Sequence, residues 1–264
     1  MSKVLVIGDL HVGSDVGLSP EEIVLSSRNR ISANEVQLAL LREYYDMIDD
    51  VGTVDILVLN GDIVEGTNYY GEGVGSLTTC MDTQAKVAVD LLSEIKCRKI
   101  VGCSGTPYHV KRNPNLDKRV IEDLGGVHME EVGLNIGQTR FYANHRTSVR
   151  MNQWESRPQS VAKDLLMAEL NAMDFGRFDI ICKSHAHYFI GLDMGSSVGF
   201  VCPCFKGRDE FAKRSVNPFA FNPSIGYLMF DIGNHGDFTW SRSIKKLSGN
   251  NAIKVYDIEE LPDA

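Results

Sequence analysis

Aspartates and histidines fall just past short apolar runs in this chain, and twice they stand two residues apart. Val4-Leu5-Val6-Ile7-Gly8 leads into Asp9-Leu10-His11, and Ile56-Leu57-Val58-Leu59-Asn60-Gly61 leads into Asp62. Phe141-Tyr142-Ala143-Asn144 leads into His145, and Ile180-Ile181-Cys182-Lys183-Ser184 leads into His185-Ala186-His187. Residues two apart share a face of an extended chain, so a carboxylate and an imidazole at that spacing can reach one cation. Each position also has a plainer reading: a turn capped by Asp9, a Gly-Asp turn at Asp62, or an ordinary core or surface histidine. The combination is what points to a metal site, and with this many donors to a two-metal site. Imidazole plus carboxylate, without thiolate, suits Mn, Fe, Zn, Co or Ni rather than Ca or an iron–sulfur cluster.

Such donors need rigid supports. A short run rich in Val and Ile reads as a buried strand, and ligands in open α/β sheets gather beyond the carboxyl ends of the strands. Strands are expected over 3–7, 55–59 and 99–103, with helices over about 31–49 (stripe Val36, Leu40, Tyr44, Ile48) and 83–96 (Val87, Leu91, Leu92 and Ile95 inward). A polar loop of about 20 residues follows the first strand, and 61–75 is a loop too long for mere connection. Asn115 can cap a short helix that Gly125-Gly126 stops. The second half reads as short strands over 127–145, a helix over 159–173 with Val161, Leu165, Leu166 and Met173 on its apolar side, and strands near 179–184, 189–194, 198–202, 225–231 and 237–240. The tail beyond about Leu247 is expected to fray except for Ile253 to Ile258. This order predicts an α/β fold, a two-sheet sandwich core flanked by helices, in one domain over 1–264. Residues 205–223 lack periodicity and form a candidate substrate-covering insertion.

Of the 264 residues, 43% are hydrophobic, ample for a core. No apolar run has the length needed to cross a bilayer, so no membrane association is expected. The first residues read as a strand rather than a basic stretch and a long apolar region, so no signal peptide is expected. The six cysteines show no CxxC pairing and read as reduced, which predicts a cytoplasmic protein; Cys202-Pro203-Cys204 is a weak metal signal. A net charge of -8 argues against coating nucleic acid by bulk electrostatics, while leaving room for a local basic groove. The Gly8–Gly13 segment lacks the second glycine of a dinucleotide-binding turn, and there is no P-loop.

The ordered set Asp9-Leu10-His11, Asn60-Gly61-Asp62, a Gly…His loop, His145 and Ser184-His185-Ala186-His187 resembles the calcineurin-like metallophosphoesterase family. The resemblance spans residues 4 to about 231. It implies an αββα fold and two divalent cations, Mn foremost, with Fe, Zn, Ni or Co as alternatives. It further implies that Asp9, His11 and His187 hold one cation, that His145 and His185 hold the second, and that Asp62 bridges both. The third family motif departs: where Gly-Asn-His is usual, this chain reads Gly105-Thr106-Pro107-Tyr108-His109. Thr106 then stands in for the Asn ligand through its hydroxyl or its backbone carbonyl, and His109 reaches in from a longer loop. Ser184 stands where the family usually has Gly.

The activity this resemblance implies is hydrolysis of phosphate esters by a hydroxide bridging cations about 3.5–4 Å apart. His109 is the candidate proton donor to the leaving oxygen. Arg146 could contact a phosphate oxygen, or form only a surface salt bridge. Lys206, Arg208, Lys213 and Arg214, with Phe205, Phe211, Phe219 and Phe221, form a basic aromatic segment; Lys111, Arg112, Lys118 and Arg119 flank the His109 loop, and Tyr69 and Tyr70 follow Asp62. Basic groups with aromatic faces suit a nucleotide or single-stranded nucleic acid, so phosphodiesters of these rank first. A phosphomonoesterase or phosphoprotein phosphatase is the alternative within the enzymes. A catalytically impaired metal-binding scaffold is the alternative outside them. Residues 13–30 could form a lid or a dimer contact.

Overall fold

A computed structural model describes residues 1–25, 27–67, 73–110, 115–150, 152–216 and 220–247. Tyr69, Tyr70, Lys111, Arg112, Phe219 and segment 253–258 lie outside the described residues, as do the side chains of Phe211 and Arg214. The first half contains β1 (Ser2–Ile7), β2 (Glu22–Val24), β3 (Arg30–Ser32), α1 (Glu35–Val51), β4 (Val54–Asn60), α2 (Met81–Leu92), β5 (Cys97–Cys103), α3 (Pro107–Val110) and α4 (Leu116–Asp123). The second half contains β6 (Val127–Met129), β7 (Val132–Ile136), β8 (Thr139–Asn144), α5 (Pro158–Leu170), α6 (Ala172–Phe175), β9 (Ile180–Lys183), β10 (Ile190–Asp193), β11 (Val198–Val201), α7 (Glu210–Ser215), β12 (Ile225–Ile232) and β13 (Phe238–Lys245).

Alternation along the strands explains the layers. In β1, Leu5 and Ile7 face a core shared with Leu40, Tyr44, Leu91 and Val120 of the helices, while Val4 and Val6 face a second core. That second core holds Phe141, Ile180, Cys182 and Phe200 with Leu228 and Phe230, so it lies between two sheets. Ile181 and Val201, on the outer face of the second sheet, pack against Val161 and Leu165 of α5. Both faces of the central strands are therefore buried, which is why their sequences read as continuous apolar runs rather than alternating ones. One sheet is ordered β13-β12-β1-β4-β5-β6 and the other β10-β11-β9-β8-β7, with helices outside each. The two-sheet, helix-flanked α/β architecture is thus present as expected. Strands β1, β4 and β5 run parallel to one another, as do β8 and β9, so each set ends its strands on one edge.

The local signals hold in part. Asn34 caps α1 with a reciprocal capping box through Gln37, and the Asn115 side chain caps α4 by accepting from Lys118 N–H. Three features escape the sequence reading: the β2–β3 hairpin inside the expected polar loop, α3 inside the expected His109 loop, and α7 inside the segment without periodicity. The expected helix over 159–173 stops at Asn171, and Leu166 and Met173 of its expected apolar side are exposed. Among the described residues no helix is long and apolar enough to cross a membrane.

Candidate metal centre

The parallel strands end at one place, and the chain reverses sharply there. Asp9 and His11 follow β1, Asp62 follows β4, Thr106 follows β5, His145 follows β8, and His185 and His187 follow β9. The two loops from the first sheet stay paired past the strand ends: Asp9 N–H donates to Gly61 O at 2.9 Å, His11 N–H to Asp62 O at 3.0 Å and Val12 N–H to Ile63 O at 2.9 Å. Six described non-glycine residues have positive φ, and five of them are Asp9, His11, Asp62, His185 and His187, at 47° to 76°. A left-handed backbone at a residue with a Cβ costs about 1–3 kcal/mol and persists only where its surroundings enforce it. Here that strain turns consecutive side chains inward, to the point where the strands converge.

The side chains form three overlapping groups whose donor atoms lie within 4.8 Å of one another: Asp9, His11 and His187; Asp62, His145 and His185; and His11, Asp62 and His109. Asp9 Oδ2 accepts from His185 N–H at 2.9 Å. Its Oδ1 is buried without a hydrogen bond and lies 3.3 Å from His187 Nε2 and 3.8 Å from both His11 Nε2 and His145 Nε2. His145 Nε2 is likewise buried without a hydrogen bond, although Asp62 Oδ2 is 2.9 Å away. A buried carboxylate oxygen and a buried imidazole nitrogen left unsatisfied at the meeting point of these three groups fit a cation.

Outer contacts fix the tautomers. His145 Nδ1–H donates to Asn60 O at 2.8 Å, and His109 Nδ1–H to Glu65 O at 2.8 Å, so in each neutral ring Nε2 keeps its lone pair. His11 Nδ1 meets Glu65 Oε2 at 2.8 Å, which leaves Nε2 for the centre. Burial opposes charge on His145, but Asp62 and Asp9 outweigh it and push the imidazole up to about 10. Burial likewise raises Asp62, yet His145 and His109 hold its carboxyl far below the usual range. Asp9 is held low in the same way, against burial, by His187 and His145.

The third motif takes its own form. Thr106 N–H donates to Asp62 Oδ1 at 2.7 Å, its hydroxyl lies 3.3 Å from both Asp62 oxygens, and its carbonyl accepts from His109 N–H. Thr106 therefore orients Asp62, while its hydroxyl and carbonyl oxygens each keep a lone pair through which the expected ligation would act. Gly105 permits this approach: a Cβ there would meet Asp62 Oδ1 at 1.9 Å. His109 sits on α3, its ring edge-to-face with His11 at 4.5 Å between centroids. Burial lowers its pKa to about 4, so the ring is neutral near pH 7. With Nδ1–H donated to Glu65 O, Nε2 is the ring atom left for the centre. Arg146 is exposed, and its backbone N–H donates to Asn144 Oδ1.

Glu65 and Asp117, two residues that support the centre, were not singled out in the sequence. Glu65, 4% exposed, binds His11 and is held down to about 2, against the effect of burial, by Lys206 and His11. Lys206 lies 3.3 Å from Glu65 Oε2 and 3.0 Å from Asp209 Oδ2. Arg208 donates to the carbonyls of Ala212 and Val216. Lys206 and Arg208, each 3% exposed, thus do not supply the expected substrate-facing basic surface: Lys206 is paired with two carboxylates and Arg208 is turned to backbone carbonyls. Asp117 is buried and accepts from Ile63 N–H at 3.0 Å and Gly105 N–H at 2.9 Å, tying the two loops that carry Asp62 and Thr106. Burial, then Asp62, push its carboxyl up to about 7. Asn60 donates to Ser184 Oγ at 2.7 Å and accepts from Cys103 Sγ at 3.2 Å, linking three strand ends. In sequence Asp117 looks like an ordinary acidic residue in the first turn of a helix, and Glu65 has no spacing signal at all.

Neither a protein-family model nor a curated protein matches the chain. Solved structures with a similar fold include Vps29 from Entamoeba histolytica complexed with zinc, at 15% identity and a TM-score of 0.41, covering 92% of this chain and 98% of that one. An archaeal phosphodiesterase is similar at 11% identity and a TM-score of 0.44, over 91% of this chain and 99% of that one. A Streptococcus pneumoniae protein described as a predicted phosphoesterase is similar at 9% identity and a TM-score of 0.38, over 92% and 98%.

Proposed function

We propose that this protein is a metal-dependent phosphoesterase using two divalent cations, with phosphodiesters of nucleotides or nucleic acid as its substrates. The observation that carries this reading is the unsatisfied pair, Asp9 Oδ1 and His145 Nε2, at the meeting point of the histidine and aspartate groups. Asp9, His11 and His187 would hold one cation, and His145 and His185 the other, with Asp62 shared. Bound cations supply Lewis acidity toward a phosphoryl oxygen and toward the attacking water. The chain's own residues do the positioning: Glu65 and Asn60 fix ring tautomers, and Thr106 fixes Asp62. His185, at 35% side-chain exposure the most open of the group, marks the side from which substrate enters. Arg146, exposed one residue past His145, would meet a phosphate oxygen. Tyr108, exposed beside His109 at 4.8 Å between ring centroids, offers a face on which a base can stack.

The test is hydrolysis of bis-p-nitrophenyl phosphate and p-nitrophenyl phosphate by metal-stripped protein with Mn, Zn, Co, Ni or Mg returned singly. Diester turnover that needs metal and is lost in His187→Ala is the expected result. Turnover of the monoester alone would reassign the protein as a phosphatase. Tight metal binding without turnover would favour the scaffold reading.

A further inference from the structure

One residue holds two imidazoles at the edge of the centre. Glu65 meets His11 Nδ1 with its carboxylate Oε2 at 2.8 Å, and accepts from His109 Nδ1–H with its main-chain carbonyl at 2.8 Å. The two rings stand edge to face, 4.5 Å apart between centroids. With both Nδ1 atoms engaged, Nε2 is the atom each ring can offer a cation. His11 Nε2 lies 3.2 Å from His187 Nε2, so it faces the centre. His109 groups with it: one donor atom from each of His11, Asp62 and His109 lies within 4.8 Å of the others, the same closeness that joins Asp9, His11 and His187. The backbone fixes His109 from two sides. Helix α3 begins one residue after Thr106, and His109 N–H closes its single turn on Thr106 O at 3.0 Å. The loop after Asp62 approaches so closely that a Cβ on Gly66, at φ 77°, would meet His109 O at 1.9 Å. A ring held at its outer nitrogen by a main-chain carbonyl is how ligating histidines are aimed. His145, held the same way by Asn60 O, already belongs to the second cation's set.

We propose that His109 is a metal ligand, its Nε2 binding the cation that His11 holds and giving that cation a third imidazole beside His11 and His187. This rests on the two-cation reading above. It replaces the proton-donor role that the family resemblance implies for His109, because an imidazole with Nδ1–H given to Glu65 O and Nε2 bound to a cation has no proton for a leaving oxygen. It also makes the two positions unequal. Three imidazoles favour Zn, Fe or Ni over Mn at the His11 position, whereas His145 and His185 supply two at the other.

Magnetic resonance of the full chain tests this, with its histidines labelled in heavy nitrogen and a spin-active cadmium isotope added to metal-stripped protein. Coupling between the two nuclei marks every ring bound to cadmium. Of the seven histidines, five are expected to couple: His11, His109, His145, His185 and His187. An uncoupled His109 in this wild-type spectrum would overturn the proposal, whether or not any variant folds. Calorimetry of His109→Phe, which keeps a ring against His11 but no nitrogen, gives the second readout. One of the two cadmium-binding steps should weaken by more than about a hundredfold, the upper end for loss of an outer partner, and the other should stay near wild type. Two unchanged steps with lost turnover of bis-p-nitrophenyl phosphate would overturn the proposal, make His109 the proton donor and leave the proposed function standing. Wild-type protein that binds no cadmium would remove both.

Discussion

At the residue scale the centre depends on charges that cannot stand alone. Glu65 and Lys206 are both nearly inaccessible and 3.3 Å apart, and removing one partner of such a pair leaves the other charged in an apolar setting. Lys206→Met is therefore expected to cost about 3–5 kcal/mol of stability by urea unfolding, and Glu65→Gln/Lys206→Met less than Lys206→Met alone. His145 gives a pH signature. Its folded-state pKa is raised from 6.5 to about 10 by Asp62 and Asp9 in the metal-free protein, against burial. A raised pKa means that the folded state holds the proton more tightly, so this stabilisation is complete below 6.5 and lost as pH rises through about 10. Melting of metal-free protein between those limits should show a downward slope that His145→Asn flattens. Because a metal must displace the same proton, divalent-cation affinity measured by calorimetry should rise over that window, with proton release.

At the element scale the loops, not the strands, decide whether the donors converge. Gly105→Ala would force a Cβ into the Asp62 carboxylate, and we expect it to abolish metal binding, read by metal analysis of the purified protein, while the far-ultraviolet dichroism stays near wild type. The strands and their terminal donors were legible in the sequence because strands buried on both faces leave unbroken apolar runs, and Asp9, Asp62, His145 and His185 come directly after such runs. The supporting residues were not, for a physical reason. Asp117 reaches Ile63 and Gly105 across 54 and 12 residues of chain, and Lys206 reaches Glu65 across 141; no local periodicity encodes such contacts. The β2–β3 hairpin was hidden because three-residue strands are too short to alternate visibly. On α5 the apolar positions were visible, but the pattern could not tell which stripe meets the sheet and which meets solvent.

At the scale of the whole molecule, the two halves of the centre come from different sheets. Asp9, His11 and Asp62 extend from the first, and His145, His185 and His187 from the second, with the layer containing Phe141, Phe200 and Phe230 between them. Phe230→Ala is expected to cost about 3–5 kcal/mol by chemical denaturation and to weaken cation binding, although residue 230 touches no donor. The order of strands also bears on how the protein is made. Strand β1 lies between β4 and β12, so it is flanked on one side by a strand made far later, Ile225–Ile232. Until Ile225–Ile232 has left the ribosome, β1 shows an open hydrogen-bonding edge and Leu228 and Phe230 are missing from the inter-sheet layer. Asp9 and His11 therefore wait, already translated but unsupported, until Ile225–Ile232 follows. A nascent chain halted before residue 225 would offer an adhesive edge to its neighbours.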